Sequence, residues 1–152
     1  MAIRNIIQVG DSVLRKKSFE VEAFDEKLHR ILDDMKDTLI KAEGMGLACP
    51  QIGLLKRVFI IIYKDRLYEF INPVIVSESG KQKDDEACLS VKGKCGEVER
   101  PQKVTVTAFD RNGKSFTLKA SGLFARCICH ENDHLDGILY IDKAVNVREC
   151  GN

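Results

Sequence analysis

The sequence predicts an α+β fold with mostly antiparallel sheets packed around a C-terminal helix, and three observations lead to this prediction. Residues 25–43 place their apolar side chains along one helical stripe. Residues 103–109 alternate between apolar and polar side chains and are followed by a turn and a returning strand. A second run with helical spacing begins after Ser121. The order of helix, strands, loop, hairpin and helix favours antiparallel pairing over the alternation that parallel sheets need.

The N-terminal amphipathic helix is predicted from spacing and from its ends. Its apolar residues from Leu28 to Ile40 recur at intervals of three and four, which places them on one face. Asp25 and Glu26 suit the first turn of a helix, where negative charge is favoured. Gly44 is expected to end the helix.

The remaining elements follow from alternation and turn residues. Residues 57–63 and 67–72 are predicted strands joined by a polar turn. Residues 103–109 and 115–119 form a predicted hairpin, and a loop is expected before it. The C-terminal helix should run from a Ser121 cap to about Leu135.

Composition restricts the class of protein. The chain has 152 residues, 44% of them hydrophobic, and this length is typical of one domain, so we expect residues 1–152 to form a single domain. With 24 basic against 23 acidic residues, the charge gives no signature of direct nucleic-acid binding and no basic field for a membrane surface.

Hydropathy and cysteine content suggest a compartment. The longest apolar run is Val58–Tyr63, whereas a membrane span needs roughly 20 apolar residues. The first residues lack the apolar stretch of a signal peptide, so we expect a cytoplasmic protein. In a reducing compartment the six cysteines are expected to be thiols or metal ligands rather than disulfides.

The strongest chemical signal lies on the C-terminal helix, where His130, Glu131 and His134 form a His-Glu-x-x-His motif. Histidines four residues apart share one helix face, so both imidazoles can bind one metal ion. Glu131 stands beside them and is placed to exchange protons with an activated water.

A third ligand is needed, because catalytic metal sites usually have three protein ligands. Tyr140 stands where one metalloprotease class continues with a third histidine, and Glu149 is the only downstream glutamate. The third ligand is therefore sought upstream, with cysteine as the candidate type.

Three ordered segments resemble the motifs of the peptide deformylase family. Glu86–Ser90 (EACLS) is similar to the family's Glu-Gly-Cys-Leu-Ser motif. Residues 44–51 (GMGLACPQ) resemble Gly-x-Gly-Leu-Ala-Ala-Pro-Gln, and residues 130–137 (HENDHLDG) match the third motif. The resemblance extends over nearly the whole chain.

The resemblance implies a metal centre. Cys88, His130 and His134 would be the ligands of one divalent ion, and Glu131 would be the general base and acid. Fe²⁺ is the family's native ion, and Zn²⁺, Ni²⁺ or Co²⁺ can substitute. A thiolate with two imidazoles fits several of these ions.

The resemblance also implies roles around the ion. Gln51 and the backbone N–H of Leu89 would form an oxyanion hole. The backbone around Met45, Gly46 and Ala87 would pair with an extended substrate like an added strand. Glu86 and Asp133 are our candidates for orienting the imidazoles, with Arg100 pairing one of them.

The implied activity is removal of the N-formyl group from the N-terminal methionine of nascent polypeptides, with release of formate and transient ribosome contact. Two alternatives stay open: a deformylase-like protein that binds metal or formylated peptide without turnover, and a general metalloprotease. Ala87 and Cys129 motivate the first, because they replace a family glycine and glutamine beside ligands. The upstream cysteine ligand argues against the second.

Overall fold

A computed structural model describes residues 2–151, which form two antiparallel sheets and two α-helices. The helices are α1 (Glu26–Ala42) and α2 (Gly122–Leu135). The strands are β1 (Gly46–Ala48), β2 (Val58–Tyr63), β3 (Arg66–Ser79), β4 (Gln82–Cys88), β5 (Val91–Arg100), β6 (Lys103–Phe109), β7 (Ser115–Ser121) and β8 (Val145–Glu149). Short 3₁₀ turns lie at Ser12–Arg15, Cys49–Ile52 and Tyr140–Asp142.

The larger sheet has the strand order β1-β2-β3-β6-β7, and the smaller sheet has the order β4-β5-β8. All paired strands run antiparallel. The predicted fold class is confirmed, because helices pack on antiparallel sheets rather than between parallel strands.

Helix α1 agrees with the prediction except at its last turn. The side chain of Asp25 accepts a hydrogen bond from the Leu28 N–H at 3.1 Å, which caps the first turn. The left-handed position after the helix is occupied by Glu43, with φ of 57°, and not by Gly44. Neither helix among residues 2–151 has the length and apolar character needed to cross a membrane.

Strand β2 is buried on both faces, because one face packs in the cluster of α2 and the other in the cluster of α1. Phe59 and Ile61 belong to the cluster that includes Phe124 and Ile128 of α2. Val58 and Ile60 alternate with them and belong to the cluster of α1. This explains the unbroken apolar run of β2, because a strand covered on both sides shows no polar alternation. Helix α2 is thereby fixed against the larger sheet.

The predicted loop before the hairpin is wrong, because residues 82–100 contain strands β4 and β5. Their sequences are mostly polar and charged, so the periodicity of a half-buried strand is weak there. The two strands form because they pair with each other, with Gln82 opposite Arg100 and Glu86 opposite Gly96. The antiparallel hairpin ends at the turn that follows Cys88.

The expectation that the cysteines are thiols or metal ligands rather than disulfides is wrong for one pair, because Cys95 and Cys150 are joined as a disulfide. The physical reason is strand pairing, because β8 lies beside β5 with Arg148 opposite Cys95. Cys150 follows Arg148 by two residues and is thereby brought close to Cys95. Their Cα atoms are 5.7 Å apart although 55 positions separate them in sequence. The other four cysteines are free thiols.

Candidate metal centre

Helix α2 presents both motif histidines from one buried face. His130 and His134 are 8% and 1% exposed, and their ring centroids are 5.2 Å apart. One helical turn separates them, as the spacing predicts. Glu131 is also buried, so the motif lies inside the fold and not on a solvated face.

The structure brings Cys88 to this histidine pair. Cys88 is the last residue of β4, beyond a register shift between Glu86 and Cys88. Its Sγ lies 3.4 Å from Nε2 of His134, and one donor atom from each of Cys88, His130 and His134 falls within 4.8 Å of the others. Ligand bonds of about 2.0–2.3 Å give donor separations of this size around one ion. The residues present therefore fit a bound divalent cation.

Glu86 orients the ring of His130 through a hydrogen bond. Its Oε1 accepts from Nδ1 of His130 at 2.9 Å, which leaves Nε2 as the metal-facing atom. Two arginines hold the carboxylate: Arg100 donates through Nε and Nη2, each at 2.9 Å, and Arg126 donates through Nη1 at 2.5 Å. This places Glu86 and Arg100 as predicted.

The charge state of Glu86 follows from these contacts. Burial alone would raise the pKa of Glu86, but the hydrogen bonds from His130 and Arg100 outweigh burial and lower this pKa to about 2. Glu86 is thus an acceptor throughout the neutral range. Arg126 was not predicted from sequence, although its position four residues before His130 puts it on the same helix face.

Asp133 does not orient an imidazole. Its carboxylate accepts from Arg100 Nη1 at 2.6 Å and pairs with Lys143 Nζ at 3.0 Å. Its effect on the site passes through Arg100. Among residues 2–151, Nδ1 of His134 has no hydrogen-bond partner.

Glu131 lies directly beneath strand β1. A Cβ added to Gly46 would come within 2.6 Å of Oε2 of Glu131, so only glycine leaves room for this carboxylate. Burial raises the pKa of Glu131 to about 7, with the nearby His130 charge opposing the rise. A carboxyl group that titrates near neutral pH can take up and return a proton.

Gln51 and Leu89 stand beside the thiol. The Gln51 side chain is fixed at both ends: Oε1 accepts from Ala48 N–H at 2.9 Å, and Nε2 donates to Ser90 Oγ at 3.0 Å. The same Nε2 is 3.6 Å from Cys88 Sγ. The Leu89 carbonyl accepts from Gln8 Nε2 at 3.0 Å, and its N–H has no acceptor among the described residues.

A groove of about 1160 Å³ runs past Cys88 and His130, and His134 lies buried behind them. Met45, Gly46 and Ala87 line it, together with Cys88 and Glu131. In the described part of the chain, β1 is an edge strand of the larger sheet that pairs with β2 on one side and with no strand on the other. Its open edge therefore offers backbone groups to an extended chain in the groove.

Ala87 and Cys129, the two departures from the family motifs that suggested a protein without turnover, do not disturb the cluster of donor atoms. Ala87 is exposed and is not among the residues with positive φ, so its Cβ carries no left-handed strain. Cys129 lines a separate cavity with Arg57 and Pro73, away from the groove. Neither residue belongs to the cluster of donor atoms.

A His-Glu-x-x-His helix with a thiol beside its two histidines, at the side of an open groove and on this α+β fold, defines the class of metal-dependent hydrolases. The family model described as polypeptide deformylase matches residues 3–149, and the chain belongs to this family.

Relatives of similar length share this assignment. A peptide deformylase of Caldicellulosiruptor bescii is 54% identical over 145 residues, covering 95% of this chain and 87% of the relative. The corresponding protein of Acetivibrio thermocellus is 50% identical, covering 95% and 85%. The crystal structure of a peptide deformylase from Legionella pneumophila is 44% identical, with a TM-score of 0.92 and coverage of 95% and 88%. That of Synechococcus elongatus, in complex with actinonin, is 38% identical, with a TM-score of 0.92 and coverage of 94% and 79%.

Proposed function

We propose that this chain, acting as one metallohydrolase domain, removes the N-formyl group from the N-terminal methionine of newly made polypeptides. The observation that carries the proposal is the convergence of Cys88, His130 and His134 next to an open groove that Cys88, His130 and Glu131 line. Membership of the polypeptide deformylase family supports the reaction and the substrate class.

Cys88, His130 and His134 would hold the metal ion. Cys88 ligates as a thiolate, and Glu86 keeps the His130 ring oriented for ligation. Bound there, a divalent ion supplies Lewis-acid chemistry that polarises a carbonyl and favours attack by water. We propose Fe²⁺ as the native ion, with Zn²⁺, Ni²⁺ or Co²⁺ as substitutes, because the mixed sulfur and nitrogen donors suit all four.

Glu131 moves the proton in the proposed reaction. Water adds to the formyl carbon while Glu131 takes the proton of the water. Glu131 then returns this proton to the leaving amine as the carbon–nitrogen bond breaks, giving formate and a free amino terminus. In the metal-free fold burial raises the pKa of Glu131 to about 7, so this carboxylate takes up a proton more readily than an exposed glutamate does.

Gln51 Nε2 and the Leu89 N–H stabilise the negative charge that develops on the formyl oxygen. Gln51 is 1% exposed and fixed by Ala48 and Ser90, so its donor needs little reorganisation during the reaction. Removing one donor of this kind costs roughly 2.7–4 kcal/mol in a comparable acyl-transfer site.

The substrate would bind as an added strand along β1. Met45 and Gly46 on one side and Ala87 on the other line the groove, so backbone hydrogen bonds can bind peptides of varied sequence. Such recognition suits nascent chains, which share only their first residue. We further propose a cytoplasmic location and transient contact with the ribosome, where such substrates arise.

The direct test is formate release from a formyl-Met-Ala peptide. Protein purified anaerobically and loaded with Fe²⁺ or Ni²⁺ should release formate, and a Glu131→Ala variant should be slower by about 10²–10⁴-fold. If the unmodified protein released formate no faster than Glu131→Ala, the proposed activity would be refuted, and a protein that binds metal or formylated peptide without turnover would be favoured. Cleavage of an internal bond in an unformylated peptide would instead indicate a general protease.

Substitution of the thiol tests the ligand set. We expect Cys88→Ser to lower both metal content and formate release, because a neutral hydroxyl is a much poorer ligand than a thiolate. Cys129→Ser is the matched control, since this thiol is buried outside the groove. Metal analysis after dialysis measures the bound ion in each protein. Unchanged metal stoichiometry and affinity in Cys88→Ser would contradict the assignment of Cys88 as a ligand.

A further inference from the structure

Strand β8 has little packing to keep it in place. All five of its residues, Val145–Glu149, are exposed, and within residues 2–151 none belongs to a hydrophobic cluster. It pairs only with β5, at three register positions interrupted by a shift between Cys95 and Glu97. An edge strand without buried apolar side chains opens easily unless another contact fastens it.

The strongest such contact is covalent. Cys95 and Cys150 have a Cα separation of 5.7 Å, inside the range of about 4.4–6.8 Å that disulfides span. One backbone hydrogen bond accompanies it, from Cys150 N–H to Gly93 O at 2.9 Å. The Lys94–Glu149 pair is exposed, with Nζ and Oε2 3.7 Å apart, so it stabilises the strand little.

The residues that follow β8 form part of the groove. Cys150 and Gly151, with Gly93 and Lys94 of β5, line the same groove as Cys88 and His130. Arg148 of β8 further pairs with Asp85 of β4, the strand that ends at the ligand Cys88. Release of β8 would therefore alter one rim of the groove without touching the donor atoms.

We propose that Cys95 and Cys150 form a reversible, redox-sensitive disulfide that fastens β8 to the groove rim and thereby tunes substrate binding. The two thiols lose two protons and two electrons as the sulfur–sulfur bond forms, and a low-molecular-weight disulfide such as oxidised glutathione is reduced to two thiols. Exchange begins at Cys150, which is half-buried, because Cys95 is only 6% exposed. The effect on substrate binding rests on the proposed function, whereas the disulfide does not.

The first test uses zinc-loaded protein, since zinc has no redox chemistry and occupies the Cys88 site. In glutathione buffers of varied ratio, thiol labelling and mass spectrometry should show a reversible 95–150 linkage. Hydrogen exchange of residues 145–149 should be faster by about tenfold in the reduced form. Cys150→Ser and Cys95→Ser should exchange at the fast rate in every buffer, whereas Cys129→Ser should respond like the unmodified protein.

The second test measures turnover. Reduction should raise KM for a formylated tetrapeptide by about threefold and leave kcat unchanged, because binding is affected and the chemistry is not. The proposal is overturned if no linkage forms, if it cannot be reduced without denaturant, or if exchange of residues 145–149 ignores it. An unchanged KM overturns the effect on binding. Absence of any formate release would refute the proposed function alone, since labelling and exchange need no turnover.

Discussion

At the scale of single residues, two buried carboxylates near one histidine acquire opposite properties. Glu86 accepts hydrogen bonds from two arginines and His130, and its pKa falls to about 2. Glu131 has no such partners within residues 2–151, and burial raises its pKa to about 7. In the proposed reaction the first would be a fixed charge that orients a ligand, and the second would carry the proton. Their partners, and not their burial, separate the two roles.

The raised pKa of Glu131 predicts how the stability of the metal-free protein depends on pH. In the unfolded chain Glu131 ionises near 4.5, whereas in the folded chain it ionises near 7. The folded state therefore loses stability as pH rises from 4.5 to 7, and the full cost persists above pH 7. Glu131→Gln removes this cost, so its free energy of unfolding at pH 8 should exceed that of the unmodified protein by up to about 3 kcal/mol.

Urea denaturation of chelator-treated protein at pH 8 and pH 4 measures this difference. At pH 4 the carboxyl group is protonated in both states, so the two proteins should unfold alike. An equal gain at both pH values would assign the effect to packing instead of ionisation.

At the scale of elements, strand β1 and helix α2 determine where the carboxylate of Glu131, the proposed proton carrier, lies. Gly46 of β1 faces Glu131 of α2 so closely that an added Cβ would come within 2.6 Å of Oε2. Gly44 is similarly close to Leu89, with a Cβ contact of 2.7 Å to its side chain. The glycines of this motif permit close approach of two elements; the left-handed turn after α1 is made by Glu43.

We therefore expect Gly46→Ala to displace the Glu131 carboxylate and reduce kcat by at least about tenfold, because a proton carrier acts only within hydrogen-bond reach. Metal content should stay the same, since Gly46 is not one of the three candidate ligands. Formate release and metal analysis on one preparation check both statements. A variant with normal kcat would show that Glu131 has a second productive position.

The sequence was most informative where the signal is local. The histidine pair follows from helical spacing alone, and α1 lies within the predicted 25–43 range. The position of Cys88 depends on pairing of β4 with β5, whose charged sequences carry little periodicity, so only family resemblance indicated this residue. Arg126 and the Cys95–Cys150 pair were missed because their roles arise from long-range contacts.

At the scale of the whole molecule, the 95–150 linkage closes a long loop. Cross-linking residues 55 positions apart restricts the unfolded chain, so the oxidised protein should be more stable than the reduced one by about 2–4 kcal/mol. Thermal unfolding in oxidised and reduced glutathione measures this difference, and Cys150→Ser should abolish it. Equal midpoints in both buffers would mean that the linkage is absent or strained.

That loop encloses the hairpin turn Asp110–Lys114 and both motif histidines, while Cys88 lies outside it. A protease that nicks the turn would therefore sever the peptide chain without separating its two pieces, as long as the sulfur atoms stay bonded. On a non-reducing gel the nicked molecule would migrate as a single band, and a reductant would resolve it into two fragments. Mild digestion followed by such a gel would thus show whether the protein in a cell extract carries the 95–150 disulfide or the two free thiols.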